Sequence, residues 1–150
     1  MDKYYQELIR AGMNRRDKRV TNNLTLSVLH QNVQSISNKQ IELDLALKLR
    51  LKNTEVSCFT EHWVKADYLN LIQIDQYKLV SHFSRKMYDH GGSCIYVKKG
   101  IRIKELNCFK GISAEKESEM SVVELVDYGC IIVCIHRSPD SNFWTFFSKH

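Results

Sequence analysis

Three residues with the chemistry of a metal and phosphate site stand near the ends of apolar runs. They are Asn32, Glu61 and His136, and Arg137 follows directly after the last of them. A carboxylate beside an amide suits a hard divalent cation, while an imidazole next to a guanidinium can meet the charge of a phosphate. Residue type and spacing therefore make Glu61 a candidate metal ligand in a half-site. The alternative is that Glu61 is an ordinary solvated side chain after a strand.

The segments before these residues have the patterns of β-strands. Residues 24–30 alternate apolar and polar side chains, residues 56–61 and 130–135 are mostly apolar, and residues 38–51 have a helical pattern. This predicts a strand–helix–strand unit, and open α/β sheets carry their sites at strand ends and in the loops that follow. If the strand before His136 is a neighbour in the same sheet, the three side chains converge at one edge.

The helix between the first two strands has a broad apolar side, so we expect it to pack on a sheet. One side carries Ile41, Leu45 and Leu49, with Leu43 and Leu47 close by. Near the candidate ligand, we expect His62 to be partly exposed and Trp63, like Trp144, to be a core residue rather than a platform for a base.

The remainder of the chain predicts further short elements. Gly91-Gly92 suits a tight turn or a close backbone approach. Residues 127–129 predict a hairpin turn between the last two strands. The strand after this turn is apolar throughout, so we expect it to be central in its sheet and covered on both faces. The other predicted elements are a helix over 67–72, strands over 78–83, 93–97 and 120–126, an edge strand over 101–106 and a last helix over 143–150.

Composition indicates an ordinary globular protein. The 150 residues are 43% hydrophobic and carry a net charge of +5, which permits a polyanionic partner without requiring one. The five cysteines form no Cys-x-x-Cys pair and lie mostly in apolar runs, which favours buried thiols in a reducing compartment. No stretch is long and apolar enough for a membrane span, so we expect an intracellular protein, nuclear or cytoplasmic, with no membrane partner.

Residues 1–23 are predicted to be a basic leader, helical or disordered. The leader contains Arg15, Arg16, Lys18 and Arg19 around a single aspartate. Such a cluster is typical of a phosphate-binding or nuclear-import patch, and the alternative is a solvated arm with no partner.

Five short motifs follow one another along the chain. They are LHQNVQSI over 29–36, TEHWV over 60–64, HGGSCIYV over 90–97, SVVEL over 121–125 and HRSP over 136–139. Together they resemble the endonuclease/exonuclease/phosphatase superfamily, and most closely the apurinic-type endonuclease domain that precedes the reverse transcriptase of non-LTR retrotransposons. The resemblance covers residues 24–150. It implies an α/β (α+β) fold, the amino-terminal part of a four-layer sandwich in which two mixed β-sheets pack face to face with helices outside.

The resemblance also implies an activity and its residues. Members of the superfamily hydrolyse phosphodiesters with Mg²⁺ or Mn²⁺, and the retrotransposon enzymes nick DNA. The metal-binding glutamate corresponds to Glu61 and the active-site asparagine of the first strand to Asn32. His136 stands where the family has a tyrosine that contacts the scissile phosphate, and Gln34 stands where several members have an acidic residue that assists the metal.

Other departures from the family pattern bear on activity. The family has an Asp-x-Asn motif after the last helix predicted here and a terminal Ser-Asp-His motif, and the sequence has neither at those places. Residues 24–150 are therefore expected to be a truncated domain, inactive or nearly so without that acid–base and charge-stabilising help. One alternative is a relic that at most binds a protein partner or nucleic acid, the latter through the leader, Lys98, Lys99 and Arg102. Another is a phosphatase of the same fold.

Overall fold

Seven strands and two helices occupy the part of the chain that is described. The computed structural model describes residues 25–106, 109, 111–139 and 141. In chain order the elements are β1 (Val28–Asn32), α1 (Ile36–Leu49), β2 (Val56–Thr60), α2 (Ala66–Leu69), β3 (Tyr77–Phe83), β4 (Ser93–Lys98), β5 (Ile103–Glu105), β6 (Glu119–Leu125) and β7 (Cys130–His136). The elements predicted within these residues are present, with bounds that differ by a few residues.

The strands form two sheets. The first sheet has the order β1-β2-β4-β3, in which β1 and β2 are parallel and the other pairs are antiparallel. The second sheet has the order β5-β6-β7 and is antiparallel, with the predicted hairpin joining β6 to β7 and β5 at its edge. The fold is therefore of the mixed α/β (α+β) class, with two sheets and few helices. The parallel pair needs a crossover connection, which α1 provides.

Helix α1 covers the outer face of the first sheet, but with one side only. Leu43 and Leu47 are buried in a core that includes Phe59 of β2 and Tyr96 of β4. The expectation that the stripe of Ile41, Leu45 and Leu49 also packs on the sheet is wrong. Residues two positions apart lie on nearly opposite sides of a helix, so the sheet that covers Leu43 and Leu47 cannot also cover this stripe. That stripe is exposed to 78%, 51% and 73% at Ile41, Leu45 and Leu49, respectively.

A second core lies between the two sheets. Val56, Cys58, Ile95 and Val97 of the first sheet meet Val123, Leu125 and Cys134 of the second. The hydroxyls of Ser93 and Ser121 are 2.7 Å apart, which joins the sheets by a hydrogen bond within this buried layer. Three thiols are buried and free as expected, those of Cys58, Cys94 and Cys134.

Strand β7 departs from its predicted place. It is an edge strand among the described residues, and the expectation that it is central and covered on both faces is wrong. Successive side chains of a strand point to opposite faces, and only the face toward the first sheet is covered. The outward-facing residues Ile131, Val133 and Ile135 are exposed to 37%, 45% and 47%, respectively.

Several sequence-based predictions fall on residues that are not described. The basic leader over 1–23, with its cluster of Arg15, Arg16, Lys18 and Arg19, lies outside the described residues, as do the helix over 143–150 and Cys108. The division of the chain at residue 24 stays a prediction. Among the described helices, none has the length and apolar character needed to cross a membrane.

Candidate active site

Asn32 and Glu61 lie side by side at the carboxyl ends of the parallel strands. Asn32 is the last residue of β1 and pairs with Thr60, the last residue of β2. Its side-chain amide donates a hydrogen bond to Glu61, with 3.0 Å between Nδ2 and Oε1. The structure thus brings these two sequence-predicted residues into direct contact at the exposed end of the first sheet.

The backbone of Glu61 is held in an uncommon conformation. Glu61 and Trp63 have φ values of 55° and 61°, in the left-handed region that side chains with a Cβ seldom occupy. Their N–H groups donate to the carbonyls of Gly92 and Gly91 at 2.8 and 3.0 Å, respectively. The Gly91-Gly92 segment before β4 therefore determines how the turn after β2 presents the Glu61 carboxylate.

Neither glycine can be replaced without a collision. A Cβ on Gly91 would collide with the guanidinium of Arg85, and a Cβ on Gly92 would collide with the imidazole of His62. Both glycines also have positive φ, at 69° and 90°. The predicted close backbone approach is confirmed, and the two side chains it approaches are identified.

A buried ion pair supports this segment from the second sheet. Glu119, the first residue of β6, is fully buried and pairs with Arg85, which is also buried. The carboxylate accepts further hydrogen bonds from the backbone N–H groups of Gly92 at 2.5 Å and Lys116 at 2.8 Å. A buried carboxylate needs such partners to offset its loss of hydration. Sequence reasoning did not single out this pair, because its members are far apart in the chain and lie in unremarkable segments.

His62 is buried beneath Glu61, and the expectation of a partly exposed imidazole is wrong. Its Nδ1 accepts a hydrogen bond from the N–H of Val64 at 3.1 Å, so Nε2 carries the proton and donates to the carbonyl of Phe83 at 2.9 Å. Burial lowers the pKa of His62 to about 4, and the ring is therefore neutral at physiological pH. Its role is to join the end of β3 to the turn that carries Glu61.

His136 reaches the same end of the molecule from the second sheet. It is the last residue of β7 and pairs in the ladder with Glu119, whose carboxylate accepts from the N–H of Gly92. The condition that its strand is a neighbour of β1 and β2 in one sheet is not met, because β7 belongs to the second sheet. Arg137 follows it at an exposed position. Convergence at this end thus comes from the packing of two sheets.

Three basic residues of the nucleic-acid-binding alternative are described, Lys98, Lys99 and Arg102, and they are not gathered around this site. Lys98 ends β4, whose other end adjoins Gly92, so Lys98 and Lys99 lie at the far end of the strand from Glu61. Arg102 is bound to Asp127 by an ion pair with 2.6 Å between Nε and Oδ1. Within the described part of the chain, the cations at the Glu61 end include Lys65, Lys116 and Arg137, beside the paired Arg85.

The donor set fits a magnesium ion that keeps most of its water. Among the described residues, no group of three or more His, Cys, Asp or Glu side chains could hold a metal ion. Mg²⁺ does not need such a cage, because it is commonly bound by one or two carboxylates together with water and substrate phosphate. Glu61 uses Oε1 to accept from Asn32 and can offer Oε2 to the ion.

Trp63 is at the surface, and the expectation that it is a core residue is wrong. Its side chain is 38% exposed and its ring contacts that of His90, with the centroids 4.3 Å apart. From a third loop, the ammonium of Lys116 lies 3.8 Å from the centroid of the Tyr88 ring. The end of the molecule that carries Glu61 therefore also presents aromatic rings and positive charge.

Comparisons with known proteins do not place the chain in a family. No protein-family model matches it, and no curated protein matches it either.

Proposed function

We propose that this chain carries the metal-binding part of the active site of a divalent-metal-dependent phosphodiesterase. The enzyme it would belong to is of the endonuclease/exonuclease/phosphatase type, most like a retrotransposon endonuclease that nicks DNA. The observation that carries the proposal is the contact between Asn32 and Glu61, whose side chains meet at 3.0 Å at the carboxyl ends of two parallel strands. An amide that donates to a carboxylate orients it for a metal.

The arrangement of the sequence motifs supports the same proposal. Motifs that are far apart in the chain supply Asn32, Glu61, Gly91-Gly92 and His136, and all four lie at one end of the two-sheet fold. A mixed sheet packed face to face on an antiparallel one, with a helix on the outer face of the first, is also compatible with part of a four-layer sandwich. A shared fold alone does not imply an activity, so the weight rests on the residues.

Each residue has a role in the proposed chemistry. Glu61 would hold Mg²⁺ or Mn²⁺, and Asn32 would orient the carboxylate. A metal ion held there would neutralise charge on a phosphate oxygen and supply Lewis-acid chemistry. His136 and Arg137 would meet the remaining phosphate charge from the second sheet. The proposal assigns no general base among the described residues.

A second candidate is a protein that binds nucleic acid without cleaving it. This second function is favoured by the small number of metal ligands at the site. Among the described residues, Glu61 does not belong to a cluster of side chains that could hold a metal ion. Such a protein would bind DNA through phosphate contacts, so its affinity would fall as salt rises and would be insensitive to a chelator.

Manganese binding to the whole chain tests the proposal. We expect Mn²⁺, followed by electron paramagnetic resonance, to bind the wild-type chain and to lose that binding in Glu61→Gln. Asn32→Ala, which removes the orienting amide, should weaken binding about 10–100-fold. Glu42→Gln is the control, because Glu42 is an exposed carboxylate on α1.

Equal Mn²⁺ affinity in the wild type and in Glu61→Gln would contradict the proposed metal role. DNA binding measured in parallel separates the two candidates. Salt-sensitive binding that is unchanged by chelator and by Glu61→Gln would favour the protein that binds without cleaving. Mg²⁺-dependent nicking of a supercoiled plasmid that is lost in Glu61→Gln would favour the nuclease.

A further inference from the structure

Trp63 is presented at the surface by its own backbone. Its φ of 61° lies in the left-handed region, and the carbonyl of Gly91 holds its N–H at 3.0 Å. A tryptophan in a conformation that favours glycine, with 38% of its side chain exposed, leaves a large apolar ring open to solvent. The same segment that orients Glu61 therefore also orients this indole, two residues further along.

The indole borders a cavity of about 270 Å³ next to the candidate active site. Trp63 and His90 form one wall with their rings in contact, and Ser35, Lys65 and Tyr88 line other parts of it. This volume is below the range of about 300–1,000 Å³ that is usual for drug-sized ligands. The cavity therefore suits a single flat ring better than a large ligand.

The cavity shares its walls with the backbone of the proposed metal ligand. The N–H of Ser35 donates to the carbonyl of Glu61 at 3.0 Å, and Trp63 is two residues from Glu61. A group bound between them lies within a short reach of the Asn32–Glu61 pair. A nucleotide with its base in the cavity would have its phosphate near the side that carries Glu61.

The charges around the cavity are compatible with a polyanion. The ammonium of Lys65 is held by the carbonyls of Lys86 and Tyr88 at 3.3 and 3.0 Å, so the positive charge stays at the rim. The carboxylate of Asp89 lies 3.7 Å from this ammonium and partly offsets the positive charge of the rim. An aromatic face with a cation beside it is the pairing by which proteins hold single-stranded nucleic acid, since every base has a flat face.

We propose that Trp63 is a stacking platform for one unpaired base of a DNA strand, with Lys65 beside the neighbouring phosphate. The placement of that strand relative to Glu61 rests on the proposed function. The stacking itself does not, because it requires neither a metal ion nor cleavage.

Binding of single-stranded oligonucleotides to the whole chain tests the proposal in a buffer with chelator and without divalent metal. One probe is a fluorescent oligothymidylate, and the other has the same length and phosphates but abasic residues in place of the bases. We expect the wild type to bind the first about 5- to 150-fold more tightly, since stacking of one base contributes about 1–3 kcal/mol. Trp63→Ala should lose this preference, and Trp63→Phe should retain most of it.

Tyr68→Ala is the matched control, because Tyr68 is an aromatic residue with 65% exposure that does not line the cavity. Its preference for bases should equal that of the wild type. A wild type that binds both probes equally would overturn the proposal, as would a Trp63→Ala chain that keeps the preference. If Trp63→Ala and Trp63→Phe both lost binding to the two probes equally, the proposal would also be overturned. That result would indicate a general change of the surface.

Because this assay excludes metal, its outcome is independent of Mn²⁺ binding at Glu61. Base stacking without Mn²⁺ binding would overturn the proposed function alone. Mn²⁺ binding without base stacking would overturn the role of Trp63 alone.

Discussion

Glu119 accepts a hydrogen bond from the N–H of Gly92 at 2.5 Å, and this contact links the second sheet to the loop that holds Glu61. The connection continues through the Gly92 carbonyl, which accepts from the N–H of Glu61. A carboxylate on one sheet therefore supports a carboxylate on the other through a single glycine. The position of the candidate metal ligand depends on the packing of the two sheets, which makes the supporting residues testable.

Removal of Arg85 should destabilise the protein strongly. In Arg85→Gln the buried Glu119 loses its cationic partner, and breaking a buried ion pair in this way costs about 3–5 kcal/mol. The free energy of unfolding, measured in urea, should fall by this order. Arg102→Gln is the matched control, since this arginine also pairs with a carboxylate but is 75% exposed, and it should change stability far less. Similar losses in the two variants would contradict the structural role of the buried pair.

Gly92→Ala should disturb both stability and metal binding. The new Cβ meets the His62 ring and adopts a φ of 90°, and strain of this kind costs on the order of 1–3 kcal/mol. The melting temperature should drop by several degrees, and Mn²⁺ affinity should fall with it because Glu61 is held by the same residue. Gly111→Ala serves as the control, because a Cβ there meets nothing within 4 Å. A Gly92→Ala chain with unchanged melting temperature would refute the close approach.

The neutral, buried state of His62 should make stability depend on pH in a defined window. Its pKa is about 4 in the folded chain and about 6.5 in the unfolded chain, so between these values only the unfolded state binds the proton. Stability should therefore fall as pH decreases from 6.5 toward 4, by up to about 3 kcal/mol. The measurement is urea unfolding of the metal-free chain at several pH values, with His62→Gln as the reference. The same pH slope in both chains would show that the imidazole does not contribute.

Truncation of two valines on neighbouring strands should lower the free energy of unfolding by very different amounts. Val123 is fully buried between the sheets, whereas Val133 on the outer face of β7 is 45% exposed. Val123→Ala should lower the free energy of unfolding by about 1.5–3 kcal/mol, and Val133→Ala by less than about 1 kcal/mol. Comparable losses, measured by urea denaturation, would indicate that the outer face is covered.

Local patterns predicted the strands and the residues at their ends. Alternation and apolar runs depend on neighbours in the chain, so the β-strands that end at Asn32 and before Glu61, and the hairpin from β6 to β7, follow from the printed residues. The contact between Asn32 and Glu61 was foreseeable for the same reason. A helix joins two strands, and their carboxyl ends then meet at one edge of a sheet.

Burial around the site did not follow from local patterns. The sequence predicts a partly exposed His62 and a Trp63 in the core, but His62 is buried and Trp63 is exposed. The reason is the left-handed turn at Glu61, which is imposed by carbonyls of Gly91 and Gly92 from a distant part of the chain. Likewise, α1 carries leucine on two opposite sides, and only contact with the sheet decides which side is buried.

The support of the site belongs entirely to the tertiary structure. Arg85 and Glu119 lie 34 residues apart, and nothing in either segment indicates that they meet. Residue types along the chain therefore indicate where a carboxylate, an amide and an imidazole can act. Their common location and burial depend on how the second sheet packs on the first, because hydrogen bonds and ion pairs between distant segments form only in the folded molecule.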